Sequence, residues 1–123
     1  MPKDLDRFIV QTTDTIRTAM VKITANRYRA VVVLDQDKVV GTVSDGDIRR
    51  AFLKEVLPIA PVEQIMTINC LTTTERDPQK LAEIIRREQV TLLPVIGQEN
   101  ELLDVALAYE PFLSRGTLDE EGR

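Results

Sequence analysis

With 123 residues the chain has an ordinary single-domain length, enough to bury a core without disulfide or metal staples. Apolar residues make up 43% and charged residues 29%, the balance of a folded soluble domain, and a net charge of -4 with a pI near 4.9 argues against a dedicated nucleic-acid surface. Histidine is absent, which removes the commonest general base, the commonest metal ligand and every Ser-His or Cys-His nucleophile pair; the single Cys70 cannot form an internal disulfide. No apolar stretch approaches the roughly 20 residues of a membrane span, and the start of the sequence lacks the apolar run of a signal peptide, so a cytoplasmic protein with no membrane partner is expected.

In chain order, residues 9–12 read as a short strand. Ile16, Ala19, Met20 and Ile23 then follow helical spacing, with Thr13 or Asp14 as the N-cap. An apolar run from Ala30 to Leu34, the polar turn Asp35-Gln36-Asp37-Lys38 and a second run over residues 39–43 predict a hairpin of buried strands. Ile48, Ala51 and Phe52 predict a second helix, capped near Ser44 or Asp45. A joining segment, residues 58–66, carries two prolines, and residues 70–73 read as another short strand. The next helix is predicted to start at Pro78, where a missing N–H costs nothing, with Asp77 as cap, Leu81, Ile84 and Ile85 facing inward, and Arg86, Arg87 and Glu88 on its polar face. A second hairpin follows: residues 93–96, the turn Gly97-Gln98-Glu99-Asn100, and residues 102–107. Pro94 suggests an edge position or a strand start. Residues 114–123, with the acidic run Asp119-Glu120-Glu121, read as a solvated tail or linker.

The hairpin pattern returns after 63 residues, so the chain repeats itself. Each half reads strand, helix, strand, strand, helix. The predicted fold is α+β, two β-α-β-β-α motifs, one over about residues 5–57 and one over about 61–113, packed about a pseudo-twofold axis with a ligand cleft between them.

The chemistry concentrates at the end of the first hairpin. Asp47 is an acceptor able to take hydrogen bonds from two vicinal hydroxyls, as in a ribose. Ser44, three residues earlier, lies near the first helical N–H groups, which with the helix dipole favour a phosphate. Gly46 lets the backbone bend or approach a ligand closely, and Arg49 or Arg50 either adds charge to a polyphosphate or faces solvent. The same Ser-Asp-Gly-Asp run is also what a plain turn and helix cap require.

The run Gly41-Thr42-Val43-Ser44-Asp45-Gly46-Asp47-Ile48-Arg49-Arg50-Ala51 resembles the CBS-domain signature, and Pro61-Val62-Glu63-Gln64-Ile65-Met66-Thr67 is similar to the lead into a second CBS motif. The resemblance covers roughly residues 5–113. More narrowly, the start of the chain and the run from Ser44 to Arg50 are similar to those of CBS pairs N-terminal to bacterial sugar-nucleotidyltransferase domains, which implies a regulatory part of a longer protein. The resemblance implies a non-catalytic pair that binds an adenine nucleotide (AMP, ADP or ATP, less often S-adenosylmethionine), forms a homodimer and adjusts an attached or partner enzyme domain. It further implies a site completed by Asn69, Cys70 and Leu71 and by Val90, Thr91 and Leu92; Val90 and Leu92 are either walls for a base or ordinary core. Ser44, Asp45, Gly46, Asp47 and Arg49 complete the implied ligand set.

The mirror-image site departs from the pattern. At the same spacing Gly41 becomes Asp104, Ser44 becomes Leu107 and Asp47 becomes Glu110, which precedes Pro111. One competent site and one weak or empty site, lined by Tyr28, Arg29 and Glu110, are expected. Cys70 lacks a CxxC partner and reads as a small buried hydrophobe, no metal is called for, and no phosphate-loop or dinucleotide fingerprint occurs. Three functions compete: a nucleotide-sensing module, a structural dimerisation module without ligand, through apolar faces that include Ala51, Phe52, Phe112 and Leu113, and the regulatory fragment of an enzyme whose catalytic residues lie outside the sequence.

Overall fold

The computed structural model describes residues 4–108. A 3-10 turn, Leu5–Phe8, leads into β1 (Ile9–Gln11), α1 (Ile16–Asn26), β2 (Ala30–Asp35), β3 (Lys38–Ser44) and α2 (Asp45–Leu53). After a second 3-10 turn, Val62–Gln64, come α3 (Pro78–Glu88), β4 (Leu92–Ile96) and β5 (Leu102–Leu107).

In the first half the strands lie in the order β1-β2-β3, with β1 parallel to β2 through the α1 crossover and β2 antiparallel to β3. Ile16, Ala19 and Ile23 put one face of α1 onto Val10, Val31, Val33 and Val43, and Ile48 of α2 joins the same core. The strand expected to be buried along its length is buried on one face only in β3, where Val39, Gly41 and Val43 are buried and their neighbours are not. The cap of α1 is Thr15, whose hydroxyl accepts from the Thr18 amide, and not Thr13 or Asp14. The Asp14 carboxylate instead accepts from the Gln11 amide and closes the turn after β1. Met20, expected on the buried face, is 36% exposed and lines a groove between α1 and α2.

The second half is thinner. β4 and β5 form a two-stranded antiparallel sheet against Ile85 of α3. Residues 70–73, expected as a strand, make only one parallel bridge, between Thr73 and Val95. Pro94 is mid-strand and fully buried; its carbonyl accepts from Thr73, so its ring nitrogen faces that side and the ladder to β5 loses no donor. Asp77 occupies the N-cap of α3 with Pro78 first in the helix, yet its side chain makes no capping bond. The Glu75 carboxylate takes the Arg76 and Asp77 amides instead, which holds its pKa below the ordinary value. The helix expected after the second hairpin, over residues 109–113, lies outside the described residues.

The repeat is visible in detail. In each hairpin one residue of the second strand is extra, Val40 and Leu103, which are 63 residues apart. The two hairpin turns then exchange a matched pair of bonds, Val39 N–H to Asn100 O at 3.0 Å and Leu102 N–H to Asp37 O at 3.0 Å. Each bond maps onto the other under the 63-residue shift, so a pseudo-twofold axis passes between Lys38 and Glu101, which bridge. It also passes between Tyr28 and Thr91, another such pair, where the Thr91 hydroxyl donates to the Tyr28 carbonyl. Between these points an apolar layer of Leu5, Phe8, Val32, Leu34, Leu92, Val105 and Leu107 joins the halves. Among the described residues no helix is long and apolar enough to cross a membrane.

Candidate functional site

Ser44 ends β3 in extended conformation and caps α2 in a reciprocal box. Its hydroxyl accepts from the Asp47 amide at 3.2 Å, while the Asp47 carboxylate accepts from the Ser44 amide at 2.9 Å. Asp45, the first helical residue, is exposed and donates its N–H to the Arg29 carbonyl at 3.0 Å. Gly46 is helical with no left-handed backbone, and an added Cβ would meet only the tip of Arg50 at 3.2 Å. Of the two uses expected of this glycine, a backbone bend and a close approach to a ligand, the helical backbone shows no bend.

Asp47 gathers more than a cap requires. Its Oδ2 also accepts from the Ser44 hydroxyl at 3.1 Å, and its Oδ1 accepts from Arg50 Nη2 at 2.9 Å and from the Thr67 hydroxyl at 3.2 Å. The side chain is only 10% exposed, whereas Arg50 is 66% exposed. Three parts of the chain meet on one carboxylate: the end of β3, the first turns of α2, and the segment after Val62–Gln64. That segment is held by backbone as well, since Thr42 and Thr67 exchange N–H to O bonds of 3.1 and 2.8 Å. Gly41 makes the crossing possible; a Cβ there would sit 2.7 Å from the Thr67 carbonyl and 3.0 Å from Met66 Sδ. A pocket of about 240 Å³ opens beside the carboxylate, lined by Asp47, Arg50, Lys54, Gln64, Ile65 and Met66 among others.

The remaining expected site residues are placed elsewhere. Arg49 lies in the groove between α1 and α2 with Met20 and Phe52, so the cation beside Asp47 is Arg50. None of Asn69, Cys70, Leu71, Val90, Thr91 and Leu92 lines the Asp47 pocket. Leu92 is buried in the layer between the halves and Cys70 packs against it, half-buried, its thiol pKa raised by desolvation. Val90 packs beside Ile85 and Leu93, and Asn69 and Leu71 are exposed. Tyr28 stands edge-to-face with Phe8, ring centroids 5.9 Å apart, and Arg29 has a left-handed backbone, φ 70°. Glu110 lies outside the described residues.

Sequence reasoning missed two residues. Thr67 is one; its signal was its place at the end of the segment read as a lead into the second motif. Asn26 is the other, 1% exposed, with its amide donating to the Arg7 and Ala30 carbonyls at 2.9 and 3.2 Å and its oxygen accepting from Tyr28 at 2.7 Å. It ties the first turn of the chain to the start of β2. A polar residue closing a helix before a left-handed Arg27 was its only signal.

Residues 3–54, which hold the box and the Asp47 carboxylate, match the protein-family model described as CBS domain. The first half of the chain is thus similar to a CBS domain. The whole described fold has CBS counterparts. The CBS domains of a transcriptional regulator from Streptococcus pneumoniae superpose with a TM-score of 0.69 at 18% identity, covering 86% of each chain. The CBS domain protein PAE2072 from Pyrobaculum aerophilum, complexed with AMP, gives 0.64 at 22% identity, covering 88% of this chain and 91% of that one. At these identities the likeness is one of fold. An uncharacterized protein of Helicobacter pylori (strain J99) is 27% identical over 100 residues, which are 79% of this chain and 30% of that protein, so the match spans less than a third of the relative's length.

Proposed function

We propose that the chain is a ligand-binding CBS pair, motifs at about 5–57 and 61–113, that takes an adenine nucleotide (AMP, ADP or ATP) at the head of α2 and reports it to an attached or partner domain. One observation carries the reading: the nearly buried Asp47 carboxylate is assembled from three parts of the chain and faces a pocket that also holds the cations Arg50 and Lys54. A carboxylate suits a ribose diol and the cations suit a phosphate. The fold likeness to an AMP-complexed protein supports the ligand class, and the length of the Helicobacter relative supports a further domain. A sugar-nucleotidyltransferase as that domain rests on the likeness of the start of the chain and of the run from Ser44 to Arg50.

A homodimer through the α1 and α2 faces belongs to the same proposal. Ala51, expected on that face, is 4% exposed and buried in its own half; Phe52, 38% exposed, carries the surface with Met20. Phe112 and Leu113 lie outside the described residues.

The second reading, a structural module without ligand, is favoured by the saturation of Asp47, both of whose oxygens already have donors. Calorimetric titration and thermal shift with AMP, ADP, ATP and S-adenosylmethionine separate the two. A nucleotide at 100 times its Kd stabilises the fold by ~2.7 kcal/mol. A melting temperature unmoved by all four ligands leaves the structural reading. A shift that survives Asp47→Ala but not Glu110→Ala puts the ligand in the other half.

A further inference from the structure

We infer that the Thr67 hydroxyl is a built-in competitor for the Asp47 carboxylate, a clasp that holds the segment after Val62–Gln64 onto the head of α2 until a ligand's hydroxyls replace it. The inference rests on the reading of Asp47 as the ribose acceptor. A carboxylate offers about four acceptor positions, and here four donors fill them: the Ser44 amide, the Ser44 hydroxyl, Arg50 and Thr67. A diol that binds Asp47 must therefore displace donors already present.

The two Ser44 donors are fixed, because the amide and the hydroxyl belong to the capping box that starts α2. Arg50 and Thr67 are the replaceable pair. Arg50 is 66% exposed on a long stem and is free to swing from the carboxylate to an incoming phosphate. The Thr67 hydroxyl reaches across at 3.2 and 3.4 Å, longer than an O–H to carboxylate bond at its best, so it is the weaker of the two. It sits on an exposed residue whose backbone is already anchored by its two bonds to Thr42. Losing the hydroxyl contact therefore leaves the crossing in place and frees only the side-chain clasp. Occupancy of the carboxylate by its own chain lowers apparent affinity by the fraction of molecules in which the clasp is open.

The direction of the effect separates this from an ordinary contact. A residue that touches ligand weakens binding when truncated; a competitor strengthens it. Thr67→Val keeps the shape and removes the donor, and Thr67→Ser keeps the donor. With AMP and with ATP as the titrants, Thr67→Val is expected to bind about 5- to 10-fold more tightly than the unaltered chain, as for a clasp open in roughly one molecule in ten to one in five. Thr67→Ser is expected to bind as the unaltered chain does, and circular dichroism melts of both variants establish that each is folded. Equal or weaker binding by a folded Thr67→Val, when the unaltered chain binds, overturns the clasp and leaves the nucleotide reading standing. If Thr67→Val does not fold, tighter binding by Thr67→Ala replaces it as the supporting result, and unchanged binding by Thr67→Ala overturns the clasp. No binding of either nucleotide by the unaltered chain or any variant overturns the nucleotide reading, and the clasp with it.

Discussion

The two halves share a hairpin, a bulge and a helix at matched positions, yet among the described residues the ends of their second strands differ in chemistry. In the first half Gly41 admits the joining segment over β3 and Ser44 caps α2. Sixty-three residues on, Asp104 stands where Gly41 was and Leu107, 6% exposed, stands where Ser44 was, its side chain in the layer between the halves. The Asp104 carboxylate accepts from the neighbouring Val105 amide. Apolar positions survived the repeat because both halves need them to close one interface. The cap and crossing positions did not: Asp104 and Leu107 stand there instead of Gly41 and Ser44.

The largest effect should come from testing whether the halves are separate at all. Phe8, 2% exposed, lies in the joining layer, and Phe8→Ala is expected to cost ~3–5 kcal/mol by removing its contacts and leaving a cavity. Urea denaturation should still show one transition by both fluorescence and circular dichroism. Two resolved transitions would show that the halves fold independently. Gly41→Ala comes next. Its Cβ would press on the Thr67 carbonyl at 2.7 Å, so an overpacking cost of ~1–3 kcal/mol is expected in the same assay. Leu103 is 39% exposed on the second half's bulge, and Leu103→Ala should change stability by no more than ~0.5 kcal/mol.

Asp47→Ala breaks the capping box, a loss of ~1 kcal/mol, and should remove the nucleotide-induced rise in melting temperature while the protein stays folded. A rise that persists would mean that the first half is special only structurally. The smallest effect concerns Cys70. Its thiol pKa is raised in the fold, so the folded chain keeps the proton longer than the unfolded one. The associated stability is present below the ordinary thiol pKa and is lost as pH rises through the higher folded value. Alkylation by iodoacetamide should accordingly be slower than for a free thiol and speed up at higher pH. A rate equal to that of free cysteine at pH 7 would show the thiol to be unshielded.

Much of this was legible in the sequence, for identifiable reasons. Val31, Val32 and Val33 announce a strand whatever surrounds them, and Ile16, Ala19 and Ile23 announce a helix, because burial periodicity is local. The Ser44 cap was legible for the same reason: donor and acceptor are three residues apart. What failed depended on partners distant in sequence. Residues 70–73 have strand-forming side chains but find only Val95 to pair with, and Met20 has the right spacing but lies at the rim of a groove. The choice of Arg50 over Arg49 as neighbour of Asp47 turns on one helical step, and Thr67 reaches Asp47 from 20 residues away. Sequence spacing named the carboxylate but not what would already be holding it.

Pro94 has a bearing on how the protein behaves at high concentration. On the flank of β4 that faces Thr73, the row of amide donors is interrupted at the centre of the strand, and the one pairing there uses the Pro94 carbonyl and the Ile96 amide. A two-stranded sheet with an open flank is otherwise a template for a strand from another molecule. The missing N–H denies such a strand a continuous ladder on the flank that Thr73 occupies.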